Sequence, residues 1–297
     1  MSPDPQPHAA STDRLPLDTA RIREAMAQHG MGELGITTST GSTNDDLVQR
    51  AYSGNLAHLS VESTEHQQAG HGRLGRGWET PARSSLAISV FMAPDPGFDS
   101  AGLPWLSMLC ATAMVQTLQE DADVAAGIKW PNDVVAGGSK LCGVLAQLVA
   151  TPNGPAVVVG AGLNVSQGRD ELPVATAASL RTLGATTLDR TALFTGYLRR
   201  VAALYTSFST VHGDASAPLP GLGASLHGES LRAVIARNMV SIGHAVDAHL
   251  PDGTTLHGIA EDLGDDGALL IRDTAGTLHR VLAADVFHLR RSDGTYA

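Results

Sequence analysis

In the first two hundred residues of the chain, apolar residues follow two kinds of spacing, one typical of helices and one typical of strands. Apolar residues spaced three and four positions apart predict four helices, over residues 17–28, 42–54, 103–120 and 191–206. The second helix begins at a capping-box spacing, either Ser42 with Asp45 or Thr43 with Asp46. The third is apolar around most of its surface, which predicts that it is buried.

Short apolar and β-branched runs predict the strands. They lie at residues 34–38, 59–62, 85–92, 128–130, 140–149 and 156–165. Pro152-Asn153-Gly154 separates the last two and is typical of a turn, so we expect a hairpin there. Residues 211–223 have the composition of a loop and place a boundary near residue 225. After Ser230, short strands separated by glycine turns predict a small β-barrel.

Composition excludes several classes of protein. The chain has 297 residues and a net charge of −10, so binding to nucleic acid or to an anionic membrane is not expected. No apolar run reaches the ~20 residues of a membrane span. Cys110 and Cys142 are its two cysteines, which fits a reducing compartment, and we expect a cytoplasmic protein. Residues 1–14 lack the apolar core of a secretory signal and predict a disordered tail.

Residues 70–78 are the strongest candidate for chemistry, with the sequence Gly-His-Gly-Arg-Leu-Gly-Arg-Gly-Trp. Glycine allows a ligand to approach the main chain closely. Arginine offers forked donors that match carboxylate and phosphate groups. The segment therefore predicts either an anion-binding loop for nucleotide phosphates or a mobile surface loop with incidental charge, and a Gly-x-Gly pattern alone does not separate the two.

Four further positions place polar residues near the ends of predicted elements. Residues 41–44, Gly-Ser-Thr-Asn, open a helix, where free N–H groups attract an oxygen ligand, although an ordinary cap has the same residues. Gln67 precedes the glycine-rich segment and can both donate and accept hydrogen bonds. In residues 129–133, Lys-Trp-Pro-Asn-Asp, the Asn-Asp pair at the end of a predicted strand is interpreted most simply as a turn. Lys140 opens an apolar strand, with its ammonium directed either to solvent or into a site.

Taken in order, these segments resemble the catalytic domain of biotin–protein ligases. That family carries Gly-Ser-Thr-Asn, a glutamine before a Gly-Arg-Gly-Arg-x-Gly-Arg loop, Lys-Trp-Pro-Asn-Asp and Lys-Leu-x-Gly-Ile/Val-Leu. Residues 160–165, Gly-Ala-Gly-Leu-Asn-Val, resemble a fifth family motif. The resemblance covers roughly residues 36–180. It implies an α+β fold, with a mixed central sheet and flanking helices like those of class II synthetases, followed by a small SH3-like β-barrel. The implied division is a disordered tail (1–14), a catalytic domain (15–225) and an SH3-like domain (226–297).

The resemblance implies an ATP-dependent, AMP-forming biotin–[biotin carboxyl-carrier protein] ligase. In that reaction the carboxylate of biotin attacks the α-phosphate of ATP, which gives biotinyl-5′-AMP and pyrophosphate. A lysine of the biotin carboxyl carrier domain of an acetyl-CoA or related carboxylase then attacks the mixed anhydride. Mg²⁺ is the expected cofactor. Only about 40 residues, with one predicted helix, precede Gly41, so we expect a monofunctional ligase without a DNA-binding domain.

The family motifs also imply roles for residues. Lys140 and Arg73 are expected to be catalytic, as cations that bring two anions together. The residues expected to bind biotin are Ser42, Thr43, Asn44, Gln67, Gly70, His71, Gly72, Arg73 and Lys140. The residues expected to bind the nucleotide are Arg73, Arg76, Trp78, Lys129, Asn132 and Asn164. Asp133 is assigned either to Mg²⁺ or to the incoming lysine.

One departure and two alternatives remain at this stage. The family usually has an arginine where this chain has His71, whose charge near neutral pH is conditional, so we expect a looser hold on the adenylate. A lipoate–protein ligase shares the fold, but it lacks the Gly-Arg loop and Lys-Trp-Pro-Asn-Asp. A non-enzymatic biotin-sensing binder would not need Lys140. A monomer and a weak homodimer are both compatible with the sequence.

Overall fold

The computed structural model describes residues 14–221, 228–250, 252–283, 288–292 and 296. Except for Arg14, the expected disordered tail therefore lies outside the described residues, and so does the expected boundary near residue 225. Arg14 itself is held in place by an ion pair with Glu171, with 2.5 Å between its Nη2 and a carboxylate oxygen.

Helices begin where short polar side chains can accept the first free N–H groups. Asp18, Ser42, Asp189 and Ser230 each cap a helix in this way. The helices of the described residues are α1 (Thr19–Gln28), α2 (Thr43–Ala51), α3 (Trp105–Ala122), α4 (Leu180–Leu183), α5 (Arg190–Thr210) and α6 (Leu231–Arg237). Helix α6 corrects the sequence prediction, which placed only short strands after Ser230.

The missed helix α6 has a local cause. Its buried residues are Leu231, Val234 and Ile235, which is the three- and four-residue spacing of one helix face. Seven residues give that period too few repeats to stand out beside the strand-like pattern that follows it.

The strands form one large sheet, one smaller sheet and a short hairpin. Their bounds are β1 (Leu34–Thr37), β2 (Val61–Thr64), β3 (Gly70–His71), β4 (Gly77–Trp78), β5 (Ser85–Met92), β6 (Ala126–Lys129), β7 (Asp133–Ala136), β8 (Ser139–Thr151), β9 (Gly154–Asn164), β10 (Ala245–His249), β11 (Thr255–Leu263), β12 (Leu269–Arg272), β13 (Leu278–Val281) and β14 (His288–Arg291). The seven-stranded sheet has the order β1-β2-β5-β9-β8-β7-β6. Only β1 and β2 pair in parallel within it, so the predicted mixed sheet is confirmed.

One strand of this sheet was not expected from the sequence. The Asn132-Asp133 pair was interpreted as a turn, but Asp133 begins β7 and pairs in register with Lys129 of β6. The turn is therefore confined to residues 130–132. The polar ends of β6 and β7 lie side by side as a consequence, and this register brings a lysine against an aspartate.

The main core lies between the large sheet and the layer formed by α1, α3 and α5. Strand β5 is buried at every position, as expected for a central strand covered on both faces. Helix α2 covers the opposite face and forms a smaller apolar cluster with β5, β8 and β9 around Leu47, Phe91 and Val158. The predicted burial of the third helix is confirmed, because α3 packs on both the sheet and α5.

The C-terminal strands form a five-stranded antiparallel sheet with the order β13-β12-β11-β10-β14. Two indoles attach it to the first part of the chain. Trp105 Nε1 donates to the carbonyl of Asp265, and Trp130 Nε1 donates to that of Gly267, both at 3.1 Å. The smaller sheet is therefore fixed beside the turn between β6 and β7. No helix in the described part of the chain is long and apolar enough to cross a membrane.

Candidate active site

A cavity of about 650 Å³ brings the sequence motifs together. Its walls include the start of α2, the β3–β4 hairpin, the turn between β6 and β7, strands β8 and β9, and the residues Leu289, Arg290 and Tyr296. The expected site residues that line it are Ser42, Thr43, Asn44, Gln67, His71, Gly72, Arg73, Arg76, Trp78, Lys129, Asn132, Asp133, Lys140 and Asn164. Gly70 is the exception. It is buried against the amide of Gln67, where a Cβ would come within 2.1 Å of Nε2.

The glycine-rich segment is a tight β-hairpin whose tip carries two arginines. Strands β3 and β4 pair, and the Gly72 N–H donates to the carbonyl of Arg76 at 2.6 Å. The tip passes through left-handed conformations, with φ of 59° at Leu74 and 71° at Gly75. Glycine adopts such a φ without strain, which explains why the turn needs Gly75. The hairpin holds Arg73 and Arg76 over the cavity.

Arg73 connects three parts of the chain. One guanidinium nitrogen donates to Asn132 Oδ1 at 3.4 Å, and another donates to the carbonyl of Ala283 in the C-terminal part. Asn132 is fixed in turn, because its Nδ2 donates to the Val144 carbonyl at 2.7 Å. Burial lowers the pKa of Arg73 from its ordinary value, and Asp133 opposes that shift. A guanidinium keeps its charge at any physiological pH, so Arg73 provides a fixed cation at the rim.

Asp133 lies at the centre of a cluster of charged groups. Its Oδ1 is 2.6 Å from the ammonium of Lys140, and its Oδ2 accepts a hydrogen bond of 2.7 Å from the Tyr296 hydroxyl. Lys140 reaches this position from β8, beside a bulge in the β7–β8 pairing. Bulges redirect side chains in this way. Both oxygens of Asp133 are therefore engaged by groups on other elements.

Lys129 is the most deeply buried cation of the cluster, with 6% of its surface exposed. Its Nζ lies 3.3 Å from the centroid of the Tyr296 ring, a cation–π contact. Burial lowers the pKa of Lys129 to about 8; Asp133 opposes that shift, while Arg290, Lys140 and Arg76 add to it. Lys129 is thus an ammonium that can lose its proton close to physiological pH.

Positive charge at the cavity exceeds negative charge. The cavity lining includes the cationic side chains of Arg73, Arg76, Lys129, Lys140 and Arg290, against the carboxylates of Asp45, Glu79 and Asp133. Lys129 and Lys140 are also the only lysines in the sequence, so every lysine of this acidic chain lies at the cavity. A site of this kind favours an anion with several charges.

A polar network closes the end of the cavity formed by α2. Gln67 Oε1 accepts from the backbone N–H of Thr43 at 3.0 Å and from its hydroxyl at 3.2 Å. The hydroxyl of Ser89, on β5, lies 2.8 Å from Thr43 Oγ1 and 2.6 Å from Asn44 Oδ1. Gly160 leaves room for this network, because a Cβ there would come within 2.3 Å of Asn44 Oδ1. Donors and acceptors are thus fixed in a buried pocket, where a polar ring can be recognised.

Trp78 forms one wall by lying on glycines of the sheet. A Cβ at Gly162 would stand 2.8 Å from the indole Cε2, and one at Gly143 would stand 3.9 Å from Cζ3. The indole Nε1 is buried and has no hydrogen-bond partner among the described residues. Such a donor is usually satisfied in native proteins, so Nε1 is a candidate contact for a ligand.

Asn164, Ser42 and His71 are three further expected binding residues that have partners within the chain. Asn164 is 3% exposed; its Nδ2 donates to the Ala178 carbonyl and its Oδ1 accepts from Gln167, both at 2.9 Å. Ser42 caps α2 by accepting the N–H of Asp45. His71, which is half exposed, places Nε2 3.4 Å from Asp45 Oδ2. These contacts hold the walls of the cavity in place.

The sequence analysis did not predict Tyr296 and Arg290 at the cavity, or Ser89 in the polar network of Thr43 and Asn44. Tyr296 and Arg290 lie about 160 positions from Asp133, and no local pattern connects residues so far apart. Ser89 had a signal, because it is a polar residue inside the otherwise apolar strand β5. The sequence contains lysine only at positions 129 and 140, and this restriction was a second signal that both residues belong to a functional site.

The described residues do not fit the Mg²⁺ assignment of Asp133. Both of its oxygens already accept from cationic or hydroxyl donors, and its neighbours are the ammonium groups of Lys129 and Lys140. Mg²⁺ binds through carboxylates and phosphate oxygens, and cations beside the carboxylate oppose it. No group of three metal-ligating side chains occurs in the described ranges.

Comparisons with known proteins agree on one family. Residues 36–164 match the model described as the biotin/lipoate A/B protein ligase family, and residues 241–289 match the biotin protein ligase C-terminal domain. A biotin–[acetyl-CoA-carboxylase] ligase from Mycobacterium tuberculosis is 37% identical over 287 residues, which is 94% of this chain and 98% of that protein. The bifunctional ligase/repressor BirA of Bacillus subtilis is 26% identical, over 91% of this chain and 78% of its own.

Solved structures support the same fold. The biotin protein ligase from Aquifex aeolicus, in complex with biotin and ATP, superposes with a TM-score of 0.68 at 24% identity, over 88% of this chain and 99% of that one. A Leishmania major biotin protein ligase superposes with a TM-score of 0.51. The order of the motifs, the cavity they form and the match along nearly the whole of the mycobacterial relative lead to one conclusion: this chain belongs to the biotin protein ligase family.

Proposed function

We propose that this protein activates biotin with ATP and transfers the biotinyl group to a lysine of a biotin carboxyl carrier domain. In the first step a carboxylate oxygen of biotin bonds to the α-phosphorus of ATP, and the bond to pyrophosphate breaks. In the second step the neutral amine of the acceptor lysine attacks the biotinyl carbonyl carbon. The bond to AMP breaks, AMP leaves, and the amine gives up one proton.

The excess of cations at the cavity is the observation that carries this proposal. The first step brings a carboxylate against a triphosphate, and both reactants are anions. Two unit charges ~4 Å apart repel by roughly 4 kcal/mol at an effective dielectric near 20. Lys140 and Arg73 are the proposed catalytic residues, since they stand on two sides of the cavity and can offset that repulsion. Fixed cations also hold the attacking oxygen in line with the phosphorus.

The two ends of the cavity suit the two substrates. We assign the polar network of Thr43, Gln67 and Ser89 to the ureido ring of biotin, which needs both donors and acceptors. Trp78 and Lys129 are assigned to the nucleotide, with the indole N–H as a donor and the ammonium as a phosphate contact. The β3–β4 hairpin lies over the junction between the two ends, where it can exclude water from the mixed anhydride.

A transfer assay with defined carriers tests the proposal. The protein is incubated with ATP, Mg²⁺, a biotin carboxyl carrier domain and either biotin or lipoate. The mass of the carrier domain is then measured by mass spectrometry. We expect one biotinyl group on one carrier lysine, with AMP and pyrophosphate as products. A lipoyl group instead would identify a lipoate ligase. Tight biotin binding without any transfer would identify a non-enzymatic biotin sensor.

A pair of variants links the assay to the site. We expect Lys140→Met to slow adenylation by about 10²–10³-fold, the usual cost of removing one group that stabilises developing charge. Arg21→Met is the matched control, because Arg21 is an exposed cation of α1 that pairs with Asp189. It should retain full activity. Equal activity of the two variants would remove Lys140 from the mechanism.

A further inference from the structure

Tyr296 follows β14, more than 130 positions after the last of the five motifs, yet it makes two contacts at the centre of the cavity. Its hydroxyl donates to Asp133 Oδ2 at 2.7 Å, and its ring lies over Lys129, with the ammonium 3.3 Å from the ring centroid. Asp133 is also the ion-pair partner of Lys140. One side chain therefore contacts the carboxylate and one of the two lysines that surround it, and it connects to the other lysine through that carboxylate.

Each contact has a physical consequence. The phenol occupies one carboxylate oxygen of Asp133, which leaves the other for Lys140 and fixes the rotation of the carboxylate. The aromatic face attracts the Lys129 ammonium without using its N–H donors, so those donors stay available for phosphate oxygens. Burial and the Asp133 charge both raise the pKa of Tyr296, so its hydroxyl keeps the proton that it donates.

We propose that Tyr296 is a positioning residue for adenylation, which holds Asp133 and Lys129 so that both lysine ammonium groups face the triphosphate. This inference rests on the proposed function. It gives a part in the reaction to Tyr296, which lies outside all five sequence motifs. The biotin end of the cavity lies at α2 and Gln67, outside the contacts of Tyr296, so biotin binding should not depend on it.

Two substitutions separate the two contacts. Tyr296→Phe removes the hydrogen bond to Asp133 and keeps the ring over Lys129. Tyr296→Leu removes both contacts. In biotin-dependent ATP–pyrophosphate exchange we expect kcat/KM for ATP to fall about tenfold in Tyr296→Phe, the usual scale for a hydrogen bond to a charged group. A further loss of about threefold is expected in Tyr296→Leu. KM for biotin should stay within twofold of the wild-type value.

The scarcity of lysine provides a second readout that does not depend on activity. An amine-specific reagent can label only Lys129, Lys140 and the N-terminus, and mass spectrometry separates these sites. In Tyr296→Leu we expect Lys129 to be labelled several times faster than in the wild type, with protection by ATP. Tyr52→Phe is the control, because Tyr52 is 54% exposed at the end of α2.

The outcomes distinguish the inference from the proposed function. A wild-type protein without biotin-dependent exchange would overturn both. An active wild type whose two Tyr296 variants keep kcat/KM for ATP within twofold would overturn the inference alone. A lower KM for ATP in the Tyr296 variants, with kcat unchanged, would also overturn the inference, because it would mean that Tyr296 competes with the nucleotide. If kcat/KM fell equally for ATP and for biotin, and the unfolding midpoint also fell, Tyr296 would only stabilise the fold.

Discussion

Lys129 gives the sharpest test of the electrostatics, because its charge should vary within the working pH range. Burial lowers its pKa from 10.5 to about 8 in the free protein. With that pKa, about nine-tenths of the molecules carry the charge near pH 7 and about one-tenth near pH 9. If only the charged form holds a phosphate, affinity for ATP falls about tenfold over this range, or about 1.4 kcal/mol.

The measurement is the dissociation constant of ATP from pH 7 to 9, for the wild type and for Lys129→Arg. Arginine stays charged throughout, so the variant should show a flat profile over this range. The wild-type profile should weaken through a midpoint near pH 8. Lys129→Met should bind ATP weakly at every pH and serves as the neutral reference. Parallel profiles of the wild type and Lys129→Arg would refute the assignment of Lys129 to the phosphates.

The same shift predicts a stability effect of defined sign. A lysine with a lowered pKa binds its proton less tightly in the folded state than in the unfolded state. The cost of burying its charge is therefore fully present below about pH 8, and it disappears as pH rises toward 10.5. Lys129→Met should raise the free energy of unfolding near pH 7 by ~1–3 kcal/mol, and the gain should shrink at alkaline pH. Urea denaturation at several pH values measures it.

Two further substitutions test one wall of the cavity and a buried ion pair elsewhere in the chain. Gly162→Ala places a Cβ within 2.8 Å of the Trp78 indole, so ATP binding should weaken while the unfolding midpoint changes little, as measured by calorimetry. Glu65→Gln removes the carboxylate 2.5 Å from the buried guanidinium of Arg190, and the free energy of unfolding should fall by ~3–5 kcal/mol in urea denaturation. Glu120→Gln is its control, because the Glu120 side chain is 63% exposed and its partner Arg200 keeps an ion pair with Asp121; it should cost under ~1 kcal/mol. A loss at Glu120 equal to that at Glu65 would contradict the argument from burial.

The local sequence predicted elements well where one physical rule dominates. Strand β5 was predicted at its observed bounds, because eight apolar or small residues in a row suit a strand covered on both faces. The Ser42 cap fixed the start of α2, since a serine oxygen satisfies a free N–H there. The prediction failed at β7 and α6. Each of these elements is short, and its own residues carry too few periods to oppose the neighbouring pattern.

The sequence alone determined the motifs, their order and the presence of a glycine-rich segment with two arginines. The residues of that segment alone did not separate an anion-binding loop from a surface loop, because the ligand contacts of a loop depend on what lies opposite. The other four motifs favoured the anion-binding loop through the resemblance to the ligase family. The fold decided that Arg73 reaches Asn132, that Lys140 shares Asp133 with Tyr296, and that Asn164 contacts its own chain. These contacts join positions from 7 to more than 160 residues apart in the chain. The spacing of hydrophobic residues indicates only which face of a helix or strand is buried. Which polar and charged residues from distant parts of the chain come into contact is decided when the two sheets pack together.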